Sequence, residues 1–193
     1  MKITVVCNLT LDGVMQAPGR PDEDTRGGFS HGGWGVPYND EVMGAEMGKR
    51  MAQGGSLLFG RRTYEDFYSV WPKRQDNPFT PVLNNAHKYV ASRTLREPLP
   101  WENSTLLKGD AADAVVDLKR TAKENIGILG SGDLVSSLMR RHLVDEFLLL
   151  IQPLVLGTGR RLFTDGSLTR LRLVSSVPTT KGVIIATYVP ESA

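Results

Sequence analysis

The chain has 193 residues, 40% of them hydrophobic and 23% charged, which predicts a single globular domain over residues 1–193 with a substantial core. Its 23 basic and 21 acidic residues leave a net charge of +2, too close to balance to predict a nucleic-acid or membrane partner. The single cysteine, Cys7, excludes an intrachain disulfide, and without a signal-peptide pattern or a bilayer-length apolar run we expect a cytoplasmic protein.

The first predicted elements in chain order are a strand, a long loop and a helix. Residues 3–9 are β-branched and apolar, a pattern typical of a strand buried on both faces. Residues 12–37 carry seven glycines and few apolar side chains, so we expect a mobile loop that the core does not hold. Asn39 or Asp40 then caps a helix that runs to about residue 53.

The rest of the chain alternates strands with helices and ends in a hairpin. Further strands are predicted at residues 56–59, 87–92 and 104–108, in IGILGSGDL, and in EFLLLIQPLVL, which Pro153 interrupts. Helices begin near Thr63, at the cap Asp110 and after the glycines of IGILGSGDL. LRLVSSV and GVIIATYV predict an antiparallel hairpin. This order of elements indicates an α/β fold whose sheet is mostly parallel with an antiparallel edge.

Three turns that follow predicted strands have a composition suited to phosphate. They are Gly60-Arg61-Arg62-Thr63, Ser92-Arg93-Thr94 and Gly130-Ser131-Gly132. Ligands of open α/β sheets bind at the carboxyl ends of the strands, where glycine permits close backbone approach and arginine binds phosphate oxygens. Each turn taken singly is also compatible with simple turn chemistry. The three together favour a polyphosphate or dinucleotide ligand.

Several well-known motifs are excluded. The stretch ILGSGDLV resembles the dinucleotide fingerprint, but Val135 replaces its third glycine, and too little chain follows for a second nucleotide-binding half. No Gly-Lys-Ser/Thr follows a glycine-rich turn, which excludes a P-loop kinase or ATPase. There is no G-x-S-x-G elbow and no Cys/His cluster, so neither a serine hydrolase nor a metal ion is expected.

The chain resembles proteins of the dihydrofolate-reductase-like family in four stretches: VVCNLTLDGVM, LLFGRRTYEDF, KYVASRTL and IGILGSGDLVSSLMRRHLVDEFLLLIQPLVLGTGRRLF. The similarity is closest to the branch that contains the reductase domain of the bacterial riboflavin-biosynthesis deaminase/reductase and its stand-alone relatives. It spans nearly the whole chain in the same order. The resemblance implies a three-layer α/β fold, a homodimer, and NADPH bound at the carboxyl ends of the strands.

The same resemblance implies which residues hold NADPH. Carried over by position, they are Gly60, Arg61, Arg62, Thr63, Ser92, Arg93, Gly130, Ser131 and Gly132. The first turn would hold cofactor phosphates, and Arg61, Ser92 and Arg93 would bind the 2′-phosphate that distinguishes NADPH from NADH. The third turn would lie under the pyrophosphate. Two arginines at a helix start, unfavourable beside the positive end of the helix dipole, would then have a phosphate as their partner.

The candidate catalytic residues are Asp12 and Asp40. Asp12 resembles the start of the family's active-site loop, and an Asp-Gly turn is the alternative. Asp40 lies where classical dihydrofolate reductases keep the acid that binds the pterin, and a helix cap is the alternative.

The candidate substrate residues are Trp34, Glu46 and Gly157. Trp34 belongs to the glycine-rich loop, and we expect it to cover the nicotinamide or the substrate when that loop closes. Glu46 lies on the first helix and alternatively pairs with Arg50 at i+4. Gly157 resembles a late family turn near the substrate, with a plain β-turn as the alternative.

The function that follows is an NADPH-dependent reductase. It would transfer hydride to a pterin, a pyrimidine or a related small molecule, as dihydrofolate reductase or 5-amino-6-(5-phosphoribosylamino)uracil reductase does. Because the cofactor carries this chemistry, no protein nucleophile is needed. The alternative is a catalytically inactive protein on the same fold that binds NADPH as a sensor.

Overall fold

The alternating strands and helices assemble into three layers, an eight-stranded sheet with helices on both faces, in a computed structural model that describes residues 1–164, 166 and 168–191. The strands are β1 (Ile3–Thr10), β2 (Ser56–Gly60), β3 (Lys88–Ala91), β4 (Ser104–Leu107), β5 (Ile126–Leu129), β6 (Glu146–Gln152), β7 (Leu171–Pro178) and β8 (Ile184–Pro190). The helices are α1 (Glu41–Met51), α2 (Arg61–Val70), α3 (Phe79–Asn85), α4 (Ala111–Thr121) and α5 (Gly132–Met139). Within these described residues, no helix combines the length and the apolar character needed to cross a membrane.

The strand order in the sheet is β4-β3-β2-β5-β1-β6-β8-β7. Neighbouring strands from β4 to β6 are parallel, whereas β8 pairs antiparallel with both β6 and β7. The predicted α/β fold, with its mostly parallel sheet and C-terminal hairpin, is therefore confirmed. β5 enters late in the chain and lies between β2 and β1, so the carboxyl ends of these three strands lie side by side.

The two faces of β1 differ in burial. Its side chains alternate: Val5 and Cys7 are buried against α4 and α5, whereas Val6 and Asn8 on the opposite face are only half-buried. The prediction of a strand buried on both faces was wrong for this reason. The apolar composition of the strand was correct, but one face borders a cleft.

The helices on the cleft side form two separate clusters. α1 packs through Met43 on Leu148 of β6 and Ile185 of β8. α2 and α3 pack through Tyr64 and Leu83 on the other half of the sheet. Leu129 of β5 packs against the second cluster, and the face of β5 between the two clusters borders the cleft.

The cap of α1 agrees with prediction, whereas the start of α2 and the presence of α3 differ from it. Asp40 caps α1 by accepting the Met43 amide at 2.8 Å. α2 begins at Arg61 rather than near Thr63, so both arginines lie in its first turn. The sequence did not predict α3, a helix of 7 residues that contains Pro81.

The long loop of residues 12–37 has a small core of its own. Val14, Ala17, Phe29 and Trp34 are all buried, with Leu154 and Leu156 packed against them. The Trp34 indole N–H donates to the Gln16 carbonyl at 2.6 Å. The expectation that no core holds this loop was wrong, because its apolar residues are few and irregularly spaced but converge in space.

We predict that Trp34→Ala lowers the free energy of unfolding by about 3 kcal/mol, because the substitution leaves a cavity in the loop core and an unpaired Gln16 carbonyl. Urea denaturation measures this change. Val36→Ala, in the same loop but 50% exposed, serves as control and should change it by less than about 0.5 kcal/mol. An effect of Trp34→Ala no larger than the control's would mean that this cluster does not hold the loop.

Candidate active site

A cleft of about 1560 Å³ opens at the carboxyl edge of the parallel strands. It is lined by all three of the turns whose composition suits phosphate, which we call the phosphate-type turns. Residues 60–63 run from the end of β2 into α2, residues 92–94 follow β3, and residues 130–132 run from the end of β5 into the start of α5. The structure thus places every predicted cofactor residue at one site. Their proximity follows from the sheet order, since β3, β2 and β5 are neighbours.

Ser131 joins two of these turns. Its hydroxyl oxygen accepts the Gly60 amide at 3.1 Å, and its hydroxyl donates to the Leu129 carbonyl at 3.2 Å. The residue has left-handed backbone geometry (φ 56°) and is nearly buried. Its side chain therefore fixes the start of α2 against the start of α5.

Both helix starts face the cleft without a side-chain cap. The first amides of a helix have no intrahelical partner, and the helix dipole adds positive potential there. Two such ends at one cleft have the unpaired amides and positive potential that suit an anion. Gly130 supports this geometry, since its φ of 58° favours glycine, and a Cβ built on it would lie 3.6 Å from the Thr63 side chain.

The basic side chains that line the described part of the cleft divide into two groups. Five are ion-paired with carboxylates: Arg26, Arg50, Arg61, Arg160 and Arg161. Arg62 and Arg93 have no hydrogen-bond or ion-pair partner among the described residues, and both are exposed. The free positive charge of the cleft is therefore concentrated beside the start of α2 and the end of β3.

Two details modify the predicted cofactor contacts. Arg61 is held by Glu65 at 3.0 Å, one helical turn away, which leaves Arg62 as the free arginine of that turn. Ser92 accepts the amides of Thr94 and Leu95, so its oxygen shapes the turn that presents Arg93.

Asp12 does not line the cleft. Its carboxylate accepts the Gly157 amide at 2.9 Å and the Thr10 hydroxyl at 2.6 Å, and it also pairs with Arg161. The hydrogen bond from Thr10, together with those from the Leu156 and Gly157 amides, lowers the pKa of Asp12 to about 2. Asp12 and Gly157 thus join two loops outside the cleft lining, as the turn alternatives describe. The catalytic role of Asp12 and the substrate role of Gly157 stay predictions.

Asp40 is also outside the cleft. Besides capping α1, its carboxylate accepts the Thr180 amide and hydroxyl, both at 2.7 Å, and the Lys181 amide at 3.2 Å. The Thr180 hydroxyl and the Met43 amide hold the pKa of Asp40 well below its usual range. Asp40 joins α1 to the β7–β8 turn, as the cap alternative describes, and its catalytic role stays a prediction.

The remaining substrate candidates lie elsewhere too. Glu46 pairs with Lys49 at 2.5 Å, not with the expected Arg50, and does not line the cleft. Trp34 is 8% exposed within the loop core and is likewise absent from the cleft lining. Both were predicted from their positions in the chain. In the structure, Glu46 contacts Lys49, and Trp34 donates to the Gln16 carbonyl.

Sequence reasoning missed two residues that shape the cleft. Met15 approaches the start of α5 so closely that a Cβ on Gly132 would lie 2.7 Å from its sulfur. Glu23 lines the cleft and accepts the Gly19 and Arg20 amides at 2.6 Å and 3.1 Å. Burial raises the pKa of Glu23. Met15 ends the stretch VVCNLTLDGVM, but a methionine there gave no sign of a role, and Glu23 belongs to none of the quoted motifs.

Residues 1–185 match the family model described as the RibD C-terminal domain. The chain belongs to that family. It is 29% identical over 155 residues, 76% of this chain and 81% of the relative, to the uncharacterized protein YyaP of Bacillus subtilis. It is 36% identical over 121 residues, 61% of this chain and 64% of the relative, to the uncharacterized protein YwjB of the same organism.

Solved structures share the fold at low sequence identity. A putative riboflavin biosynthesis protein from Shewanella sp. PV-4 superposes with a TM-score of 0.71 at 22% identity, over 100% of both chains. A pyrimidine reductase-like protein from Corynebacterium diphtheriae gives 0.64 at 13% identity, covering 100% of this chain and 92% of that one. Acinetobacter baumannii RibD gives 0.64 at 14% identity, and the match covers 98% of this chain but 58% of that protein.

We predict a pH-dependent contribution of Asp12 to stability. Because its pKa is about 2 when folded and 3.8 in its ordinary state, its contribution is complete above about pH 5 and is lost progressively as the pH falls toward 2. Urea unfolding of wild type and Asp12→Ala at pH 6, 4 and 3 should give a stability difference that shrinks at the lowest pH. Asp76→Ala, at an exposed position, controls for the loss of one charge. A difference that stays constant from pH 6 to 3 would contradict this role.

Proposed function

We propose that this protein is an NADPH-dependent reductase that acts on a pyrimidine, a pterin or a related small heterocycle. Membership of the RibD C-terminal domain family supports reductase chemistry of the pyrimidine type. The observation that carries the cofactor assignment is the pair of uncapped helix starts, joined by Ser131, beside the free Arg62 and Arg93.

The residues present fit NADPH. The starts of α2 and α5 would hold the pyrophosphate through backbone amides, and Gly130 allows the backbone to turn there. Arg62 and Arg93 would bind the 2′-phosphate as paired cations. When bound, NADPH supplies a hydride. The chain's own contribution is to orient cofactor and substrate and to exclude water.

Proton delivery in such a reaction requires a group at the cleft. Asp12 and Asp40 are outside it. Glu23 is a lining carboxyl whose pKa is raised, so part of it is protonated at a higher pH than an ordinary glutamate. We propose Glu23, or a water molecule in the cleft, as the proton source.

The position of the acids also favours a second candidate function. Because none of the predicted acids Asp12, Asp40 and Glu46 reaches the cleft, the protein could bind NADPH without turnover, as a sensor. Tight NADPH binding without oxidation of the cofactor, across a panel of pyrimidines and pterins, would favour the sensor. Substrate-dependent loss of absorbance at 340 nm, the nicotinamide band of NADPH, would favour the reductase.

We expect Arg93→Ala and Arg62→Ala each to weaken NADPH binding by roughly 10- to 100-fold, with NADH affinity nearly unchanged, because each removes one charge-assisted bond to the 2′-phosphate. Fluorescence titration with both cofactors measures this selectivity. Arg96→Ala, an exposed arginine near the same turn but outside the cleft lining, is the matched control. If the two variants lose affinity for NADPH and NADH equally, neither arginine binds the 2′-phosphate.

We also propose that the protein is a homodimer. β7 forms an edge of the sheet, and its Leu173 and Val174 are 48% and 51% exposed. An edge strand with unpaired backbone groups and apolar side chains can pair with a second copy. Light scattering should give about twice the 21.2 kDa chain mass, whereas the monomer mass at micromolar concentration would contradict the proposal.

A further inference from the structure

The central strand β5 is only half-buried on one face along its length. Ile126 and Ile128 are fully buried toward α4 and α5, but Gly127 and Leu129 on the opposite face are only half-buried. A strand at this place in a three-layer fold normally lies under a helix on each face. Here α1 packs over β6 and β8, and α2 and α3 pack over β2 and β3 with Leu129 at the border of their cluster. The face of β5 between the two sets of helices lines a groove.

This groove continues the cofactor cleft along β5, away from the phosphate turns and toward the contact between α1 and α3. We call it the β5 groove. Its floor is Val6, Leu57, Gly127 and Leu129, and its walls are Met47, Arg50, Met51, Phe67, Trp71, Phe79 and Val82. Apart from Arg50, these residues are apolar or glycine. Methionine and aromatic side chains adapt well to flat apolar groups.

The charge of the β5 groove does not suit a phosphate. Among the residues that form the floor and walls of the groove, Arg50 alone is charged. Its guanidinium already donates to Glu146 at 3.1 Å and to Thr187 at 2.9 Å. The cleft cations without partners among the described residues, Arg62 and Arg93, lie at the other end, after β2 and β3. A phosphate in the groove would have to compete with Glu146 for Arg50.

Gly127 is the residue whose identity needs explaining. Its φ is not positive, so the backbone does not require glycine. A Cβ built on it would approach only Leu57, at 3.6 Å, which is ordinary contact. Glycine inside a strand weakens it unless something else must come close. The missing side chain therefore leaves room on the floor of the β5 groove for a ligand.

We propose that the β5 groove binds an uncharged, flat, apolar substituent of the substrate, so that the substrate is a heterocycle with an aromatic arm and not a phosphoribosyl compound. The proposal rests on the proposed reductase function for the location of the heterocycle. It goes beyond that function in naming the substituent that the protein selects.

Three ligands that share one heterocycle test the preference directly. They are 5-amino-6-(benzylamino)uracil, 5-amino-6-(methylamino)uracil and 5-amino-6-(5-phosphoribosylamino)uracil. Calorimetry with the protein saturated with NADP⁺ should give the benzyl compound an affinity about tenfold or more above the methyl compound, because the phenyl ring leaves water. The phosphoribosyl compound should bind no better than the methyl compound. If it binds best, or if benzyl and methyl bind equally, the proposal is overturned.

Gly127→Val should remove the advantage of the benzyl compound and leave the affinity of the methyl compound and of NADP⁺ within about twofold of wild type, because its side chain occupies only the groove floor. Gly44→Val on α1 is the matched control, since a Cβ there meets nothing within 4 Å and Gly44 is outside the cleft. Gly127→Ala adds a single methyl group and should reduce the benzyl advantage in part, which keeps the test valid if Gly127→Val unfolds. A benzyl advantage that survives in both variants would contradict the groove assignment.

The outcomes separate this proposal from the proposed function. If NADP⁺ binds but the benzyl preference is missing, the β5 groove proposal fails and the cofactor assignment stands. If NADP⁺ does not bind, the proposed function fails. Titration of the benzyl and methyl compounds without cofactor still measures whether the protein prefers the benzyl substituent. A preference for benzyl that Gly127→Val removes would then still support the groove.

Discussion

The insertion of β5 between β2 and β1 is the constraint on which the site depends. It brings the turn after β5 next to the turn after β2, where the Ser131 hydroxyl joins them. It also puts β5 between the two helix clusters on one face of the sheet, where its half-buried face lines the cleft. The position of β5 in the sheet thus creates both parts of the cleft. One part has the unpaired amides of two helix starts, and the other is the apolar β5 groove.

Ion pairing then divides the cleft by charge. Carboxylates neutralise most arginines of the described lining, including Arg61 through Glu65, and Arg62 and Arg93 are left without such partners. A cation at the positive end of a helix is unfavourable in the free protein, and a bound dianion would reverse that cost. The charge pattern therefore favours an anionic ligand near α2 and an uncharged one over Gly127.

Local sequence patterns predicted the strands, the capped helices and the three phosphate-type turns, because each depends on residues adjacent in the chain. They failed where the partner is distant. Asp12 accepts the Gly157 amide and Asp40 accepts the Thr180 hydroxyl, and no local pattern indicated that these acids hold loops together. Trp34 was expected at the ligand for the same reason, since its buried neighbours could not be read from their spacing. The β5 groove is formed by the order of the strands in the sheet and by α3. Local sequence patterns predicted neither of them.

The central claim is that the starts of α2 and α5 bind one dinucleotide together. Titration of ¹⁵N-labelled protein with NADP⁺ tests it most directly, because each backbone amide is observed separately. We expect the amides of residues 61–63 and 132–134 to shift together along one binding curve, with Gly44 and other amides remote from the cleft unmoved. Shifts at only one helix start, or separate binding curves for the two, would contradict the claim.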